Sequence, residues 1–299
     1  MRRGSFIWAV AFAATANAQE PPRSEESPGL DETVEELIVT AQRREQRAIE
    51  VPASLHVLPG DALAARGVRD VRDAFAAVPN LQFNMLGDGG GGTGIAIRGV
   101  SAAGVFGVDQ AVAIYVDGVL MNAEGAWNPR LVDVDRVEVL RGPQGTLYGR
   151  NALAGAVSII SVQPNPERLG GFAEATVGWF GEFGASGALN VPLGEAAAFR
   201  VTAFGAQSDG FIRNRLGGRR FGGLAEGGVR AQLAVEPAER WSLALAADYA
   251  KDDGRKWGVG DRVRVADELA VDVATPFLSE LENYGAALTA TREGACCAG

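Results

Sequence analysis

The chain has 299 residues, 47% of them hydrophobic, with 28 Lys+Arg against 37 Asp+Glu and a formal net charge of −9. That length suits about two domains. A net acidic chain with no Lys/Arg-rich block has no electrostatic footprint for neutralising phosphates, which argues against nucleic acid as a partner. The 40 glycines and 7% aromatics fit neither a disordered acidic tail nor a helical membrane protein, whose spans need about 20 apolar residues each.

Met1, Arg2 and Arg3 form a basic start, residues 6–14 an apolar stretch, and Ala16-Asn17-Ala18 a small-residue cleavage site. Together residues 1–18 read as a secretory signal peptide, the apolar stretch being too short to anchor in about 30 Å of hydrocarbon. Residues 19–34 are acidic, Pro-rich and nearly without apolar content, so they read as a flexible leader. Residues 35–42 follow with a β-prone run between acidic residues and a charged segment. Such a run can add as a strand to another protein's sheet or serve as an edge strand of the next domain. Cys296 and Cys297 are adjacent at the C-terminal end and build neither a disulfide framework nor a zinc site. His56, the one histidine, reads as a strand residue partly facing solvent.

Residues 47–165 alternate short strands and helices, an α+β pattern. Strands are expected at 54–58, 81–84, 95–97, 112–116, 137–140 and 157–160. Asp61 can cap a short helix, and Val68, Val71, Phe75 and Val78 stand at helical spacing before Pro79. Asp117-Gly118 is a tight-turn signal. Gly87, Gly89 and Gly92 match a phosphate-loop spacing, but the glycines run into a strand at Ile95 rather than opening a helix. A loop is the better reading. No catalytic constellation and no metal-ligand set is assembled anywhere.

Beyond residue 170 the pattern becomes strict alternation. Val229, Ala231, Leu233 and Val235 oppose Arg230, Gln232 and Glu236; Trp241, Leu243, Leu245, Ala247 and Tyr249 oppose Ser242 and Asp248. A soluble sandwich alternates too. Two features favour a transmembrane barrel. Trp241 and Tyr249 bracket about 20 Å of depth on one face of a tilted strand, and short turns at 194–198 and 236–240 contrast with a long 209–227 connection.

The run Arg136-Val-Glu138-Val-Leu-Arg141-Gly142-Pro143-Gln-Gly145-Thr-Leu-Tyr148-Gly149-Arg-Asn151 resembles the signature of TonB-dependent outer-membrane receptors. In the same order, Leu37-Ile38-Val39-Thr40-Ala41 resembles a TonB box, Ile97-Arg98-Gly99-Val100 and Val116-Asp117-Gly118-Val119 resemble plug motifs, and residues 154–160 resemble the last plug strand. The resemblance covers about residues 35–250. It implies an α+β plug domain followed by an antiparallel transmembrane β-barrel in the outer membrane of a Gram-negative bacterium. It also implies energy-coupled uptake of a scarce nutrient complex such as a ferric siderophore, with outer-membrane lipid around the barrel, and no enzyme activity or resident cofactor. It assigns TonB C-terminal-domain binding to residues 37–41, where a proline at Ile38 is expected to matter more than a side-chain change at Thr40. It aligns Arg98 and Arg141 with plug arginines that lock onto barrel glutamates; here they are expected to be solvated or to borrow Glu138 or Asp117. Gly87, Asp88, Gly94, Ser101, Phe106 and Gln110 fall in candidate substrate-facing loops.

About five strands are legible between residues 170 and 251, after which alternation fades into what resembles an external loop. Since the family barrel has 22 strands, residues 170–299 are expected to be the N-terminal fragment of a barrel that cannot close, and the chain a truncated form. An exported soluble binding or scaffold protein built on the plug-like domain is the alternative; detergent dependence separates the two.

Overall fold

The computed structural model describes residues 38–40, 46–85, 93–101, 110–121, 129–216, 220–238, 240–253, 262–265, 268–271 and 280–292. The signal peptide, the leader, Leu37, Ala41, Gly87, Asp88, Phe106 and both cysteines lie outside these residues.

The described chain opens with β1 (Ile38–Val39), which pairs antiparallel with β2 (Gln46–Arg47). Next come β3 (Ser54–Pro59), α1 (Gly60–Ala65), α2 (Val71–Ala76) and the hairpin of β4 (Leu81–Met85) with β5 (Thr93–Ile97). The helix expected across residues 68–78 begins late because Asp70 caps it, its carboxylate accepting the Asp73 N–H at 2.8 Å. Val71, Phe75 and Val78 are buried, as their spacing requires. Gly94, expected in a substrate-facing loop, instead pairs with Asn84 inside the β4–β5 ladder. A residue without a side chain carries no strand signal, but its backbone groups pair as well as any other.

The domain centres on β6 (Val112–Val116), β7 (Val119–Met121), β8 (Val134–Arg141) and β9 (Gly155–Ser161), with the one-turn α3 (Gly145–Tyr148) between β8 and β9. The sheet order is β3-β8-β9-β6-β7, with β6 and β9 parallel and the other pairs antiparallel. Asp117 and Gly118 link β6 to β7 with φ of 47° and 82°, the pair of left-handed residues of a type I′ hairpin.

Alternation along β8 sends Val137 and Val139 to one face and Glu138 and Leu140 to the other. The first face is covered by Leu63 of α1, Phe75 of α2 and Ile95 of β5. On the second, Val39, Tyr115, Leu140 and Tyr148 form a separate cluster, tied by the Tyr115 hydroxyl donating to the Tyr148 carbonyl at 2.6 Å. The helix α3 was not legible in the sequence, since four residues show no periodicity.

The second part is a meander of long strands: β10 (Gly170–Val177), β11 (Phe183–Pro192), β12 (Ala197–Ser208), β15 (Leu224–Ala238), β16 (Trp241–Asp252) and β19 (Leu281–Arg292), all antiparallel in that order. Between them, β13 (Ile212–Asn214), β14 (Arg220–Phe221), β17 (Arg262–Val265) and β18 (Glu268–Val271) form a small four-stranded sheet. Six strands therefore replace the five expected. The last was hidden because Gly285, Ala286, Ala287 and Ala290 blunt its alternation, yet it pairs with β16 from Trp241↔Arg292 to Asp252↔Leu281. Among the described residues β10 and β19 are edges, so the sheet is not closed.

The register lines up like with like. Val191, Phe199, Leu233, Leu245 and Leu288 are successive cross-strand neighbours, and so are Ala188, Thr202, Arg230, Asp248 and Gly285. The first row belongs to the outward face, where Tyr284 is 83% and Leu288 72% exposed, with Leu189, Trp241, Leu245 and Tyr249 also open. The inward face buries Asn190, Arg200, Thr202 and Gln232. A soluble sandwich has the opposite polarity, while a barrel wall in lipid has this one. No helix among the described residues is long and apolar enough to cross a membrane, which leaves crossing by strands open.

Gly155 is a tight point of the plug sheet: an added Cβ would lie 2.3 Å from the Leu140 carbonyl oxygen and 2.7 Å from Ile97 Cδ1. Gly155→Ala must push β8 from β9 and should cost about 2–3 kcal/mol in urea denaturation. Gly145→Ala, whose Cβ meets nothing within 4 Å, should change stability by less than about 1 kcal/mol.

Candidate functional site

Two plug acids facing the wall take up its inward arginines. Asp133, just before β8, accepts Arg200 Nε at 2.7 Å and Nη2 at 2.5 Å, and Thr202 Oγ1 at 2.6 Å. The Asp133 and Arg200 side chains are 5% and 10% exposed, so this is a buried, two-pronged ion pair of the strong kind. Asp117, in the β6–β7 turn, accepts Arg230 Nη1 at 2.9 Å and the Ser161 N–H and Oγ at 2.8 and 2.9 Å. Arg230 also donates to Ser161 Oγ. With the polarity reversed, Arg130 Nε of the plug donates to Glu226 Oε1 of β15 at 2.7 Å. At the plug exit, Asn190 of β11 holds the linker by donating to the Asn165 and Arg168 carbonyls at 2.8 and 2.7 Å and accepting the Asn165 N–H at 2.9 Å. Beside these contacts a cavity of about 390 Å³ lies between the plug and the wall, lined by Met121, Leu131 and Ser161 on one side and Phe204, Gln232 and Asp248 on the other.

None of Asp133, Arg200, Arg130 or Glu226 was singled out from sequence. The available signal was the polar half of the strand alternation, which marks Asn190, Arg200, Thr202 and Arg230 as inward facing; partners 67 or more residues away leave no local trace.

The described residues of the expected box, 38–40, sit against the plug. Ile38 is partly exposed and Val39 fully buried. Thr40 bonds Glu138 Oε1 through its N–H at 2.9 Å and its hydroxyl at 3.3 Å, and Arg136 Nε donates to the same oxygen at 2.8 Å. The Thr40 side chain therefore has a contact of its own. Burial works against the Arg136 charge, but its hydrogen bonds to Glu138 and Asp135 outweigh that and raise its pKa.

Arg98 and Arg141 meet at one turn. The Arg98 N–H donates to the Asn80 carbonyl at 2.8 Å, and Arg141 Nη1 reaches the Pro79 carbonyl at 3.4 Å. Arg98 is exposed, with φ of 53°. Neither arginine borrows Glu138 or Asp117, because Glu138 lies on the opposite face of β8 from Arg141 and is held by Arg136, while Asp117 is held by Arg230. The rest of the signature builds the connection: Gly142 N–H donates to the Ala154 carbonyl at 2.9 Å, Pro143 follows, and Gly149 ends α3 at φ 72° and ψ −144°, which L side chains rarely adopt. Ser101 is exposed and Gln110 half-buried. Among the described residues no group of three His, Cys, Asp or Glu is placed to hold a metal.

Two outcomes follow. Asp133→Asn leaves Arg200 buried without its counter-charge and should destabilise the chain by about 3–5 kcal/mol; adding Arg200→Met should recover much of that loss, read by chemical denaturation as a double-mutant cycle. His56 is held below its ordinary pKa by burial and by the Arg141 and Arg66 charges, so the unfolded chain binds the proton more readily. Stability is then complete above about pH 6.5 and falls as the pH drops below it. His56→Gln should flatten that part of the stability profile between pH 7 and 5.

The comparisons agree with this architecture. Residues 47–156 match the model of the TonB-dependent Receptor Plug Domain, a family of receptors and not of enzymes. The pesticin receptor of Yersinia pestis is 31% identical over 246 residues, covering 80% of this chain and 34% of the relative. The iron-regulated outer membrane virulence protein of Vibrio cholerae is 31% identical over 180 residues, 56% of this chain and 25% of the relative. The crystal structure of the ferric yersiniabactin uptake receptor FyuA from Yersinia pestis superposes with a TM-score of 0.70 at 25% identity, over 81% of this chain and 38% of that one. The chain thus spans a quarter to a third of the curated relatives it matches. With a plug sheet seated on an inverted, outward-apolar meander, the chain matches the plug domain and adjoining strands of TonB-dependent outer-membrane receptors.

Proposed function

We propose that the chain is part of an outer-membrane receptor that takes up a ferric siderophore, powered through residues 37–41 by the C-terminal domain of TonB. The observation that carries this reading is the seating of the plug on the polar face of the strand wall through Asp133, Arg200 and Thr202. A plug seated on the polar face of a wall whose other face is apolar suits obstructing a path through lipid until it is moved. The ferric substrate is inferred from the relatives, whose names include a ferric yersiniabactin uptake receptor and a catecholate siderophore receptor. Residues 1–18 supply the export signal, 19–34 the leader, 47–165 the plug and 170–299 barrel strands.

Arg98 and Arg141 act in this reading as lock residues. They flank the Pro79–Asn80 turn, and Arg141 Nε is buried with no hydrogen-bond partner among the described residues. A barrel carboxylate reaching that turn would satisfy both guanidinium groups. Ser101 and Gln110 stand beside the substrate-facing segment.

The test is uptake of radio-iron-labelled hydroxamate, catecholate and carboxylate siderophores by the host with the full-length receptor's gene deleted, then restored as full-length wild type or as full-length Ile38→Pro. Wild type should restore uptake of at least one chelate, and Ile38→Pro should lower it at least tenfold, because proline removes a backbone donor from the added strand. Restoration of none overturns the substrate reading; undiminished uptake by Ile38→Pro overturns the box.

A further inference from the structure

We propose that Asp248 is a standby counter-ion for Arg230, so that the plug's Asp117 turn can part from the wall while the rest of the plug stays seated. The exchange needs neither substrate nor energy coupling, so it stands or falls apart from the function proposed above.

Arg230 and Asp248 are direct cross-strand neighbours on the inward face of β15 and β16. Opposite charges so placed, with Cβ atoms about 5 Å apart, ordinarily attract each other. Here they do not pair. Arg230 reaches across to the plug instead, donating to Asp117 Oδ2 at 2.9 Å and to Ser161 Oγ. Asp248 is left with no hydrogen bond or ion pair among the described residues. Its carboxylate leans toward Gly285 of β19, 3.5 Å from where a Cβ would stand, and borders the plug–wall cavity together with Asp117, Ser161 and Arg230. A second acceptor waits on the same lining: Gln232 Oε1, two residues along the inward face from Arg230, is buried with no hydrogen-bond partner among the described residues.

Both ends of the Asp117–Arg230 pair therefore have somewhere to go. Asp117 keeps the Ser161 N–H and hydroxyl, at 2.8 and 2.9 Å, inside the plug. Arg230 gains Asp248 and Gln232 on the wall. A pair that dissolves into two satisfied ions is exchanged readily, whereas one that leaves a buried charge alone resists separation. The other two plug–wall contacts are of the second kind. Arg200 stands between Asn190 and Gln232, neither of them charged. Glu226 stands between Ala206 and Asp252, so the loss of Arg130 would leave it beside a like charge. Two contacts are thus fixed and one is exchangeable. The margin of the plug along β6 and β7 can yield first, with Asp133 and Arg130 still holding the rest.

In the test, nitroxides are attached to the full-length receptor at Leu120→Cys in β7 and at Leu245→Cys on the outward face of β16, both exposed positions, after Cys296 and Cys297 are changed to Ser. Their separation is read by pulsed spin resonance in the parent, in Asp117→Asn, in Asp248→Asn and in the double variant. Asparagine suits the left-handed backbone at Asp117. Asp117→Asn should raise severalfold the fraction of molecules with a longer separation, and adding Asp248→Asn should cut that fraction about tenfold. The urea midpoint at which the Leu120 label becomes mobile should be unmoved by Asp248→Asn alone, lowered by Asp117→Asn, and lowered by more than the sum of the two in the double variant, because only there does Arg230 lack both acids. Equal separations in Asp117→Asn and the double variant, additive urea midpoints, or a midpoint lowered by Asp248→Asn alone as far as by Asp117→Asn would each overturn the standby role.

Discussion

The structure turns on an inverted wall. Its strands carry Leu189, Leu245, Tyr249 and Leu288 outward and Asn190, Arg200, Thr202 and Arg230 inward. An arginine facing a protein interior must find a counter-charge there, since an unpaired buried charge costs several kcal/mol. The plug supplies it. Asp133 and Asp117 lie at the margins of β8 and β6, where the chain leaves the plug sheet, and Arg130 answers Glu226 in the other direction. The plug is thus electrically specified by the wall, and its position follows from charge pairing more than from apolar packing.

Within the plug, β8 divides the work between its faces. Val137 and Val139 pack under the helices and hold the domain together. Leu140 and Glu138 face Val39 and Thr40. One strand thus serves both the core and the N-terminal segment, and its continuation through Gly142, Pro143 and Gly149 returns the chain to β9 in a turn whose two glycines hold a positive φ that L side chains rarely adopt.

Much of this was legible in the sequence, and the failures have physical causes. Period-two alternation marked β15 and β16 and told which face was apolar, because aromatic and branched residues differ sharply from Arg and Gln. β19 escaped because Gly and Ala differ little from either. The small sheet of β13, β14, β17 and β18 escaped because two to four residues carry no period. Motif likeness located Glu138 and Arg136 but not what they hold, and the Asp133–Arg200 pair joins positions that no local pattern connects.

Asp133 and Asp117 share one more property: both stand in the left-handed region, with φ of 59° and 47°. That backbone admits Gly, Asn and Asp with little strain and resists longer or branched residues. Of those three only aspartate is charged. Glutamate, chemically the nearest substitute, is thereby doubly unsuitable at these positions, through its backbone preference and through a side chain one carbon too long for the guanidinium already in place. At these two sites an interchange between acidic residues, usually the mildest of changes, should be among the least tolerated.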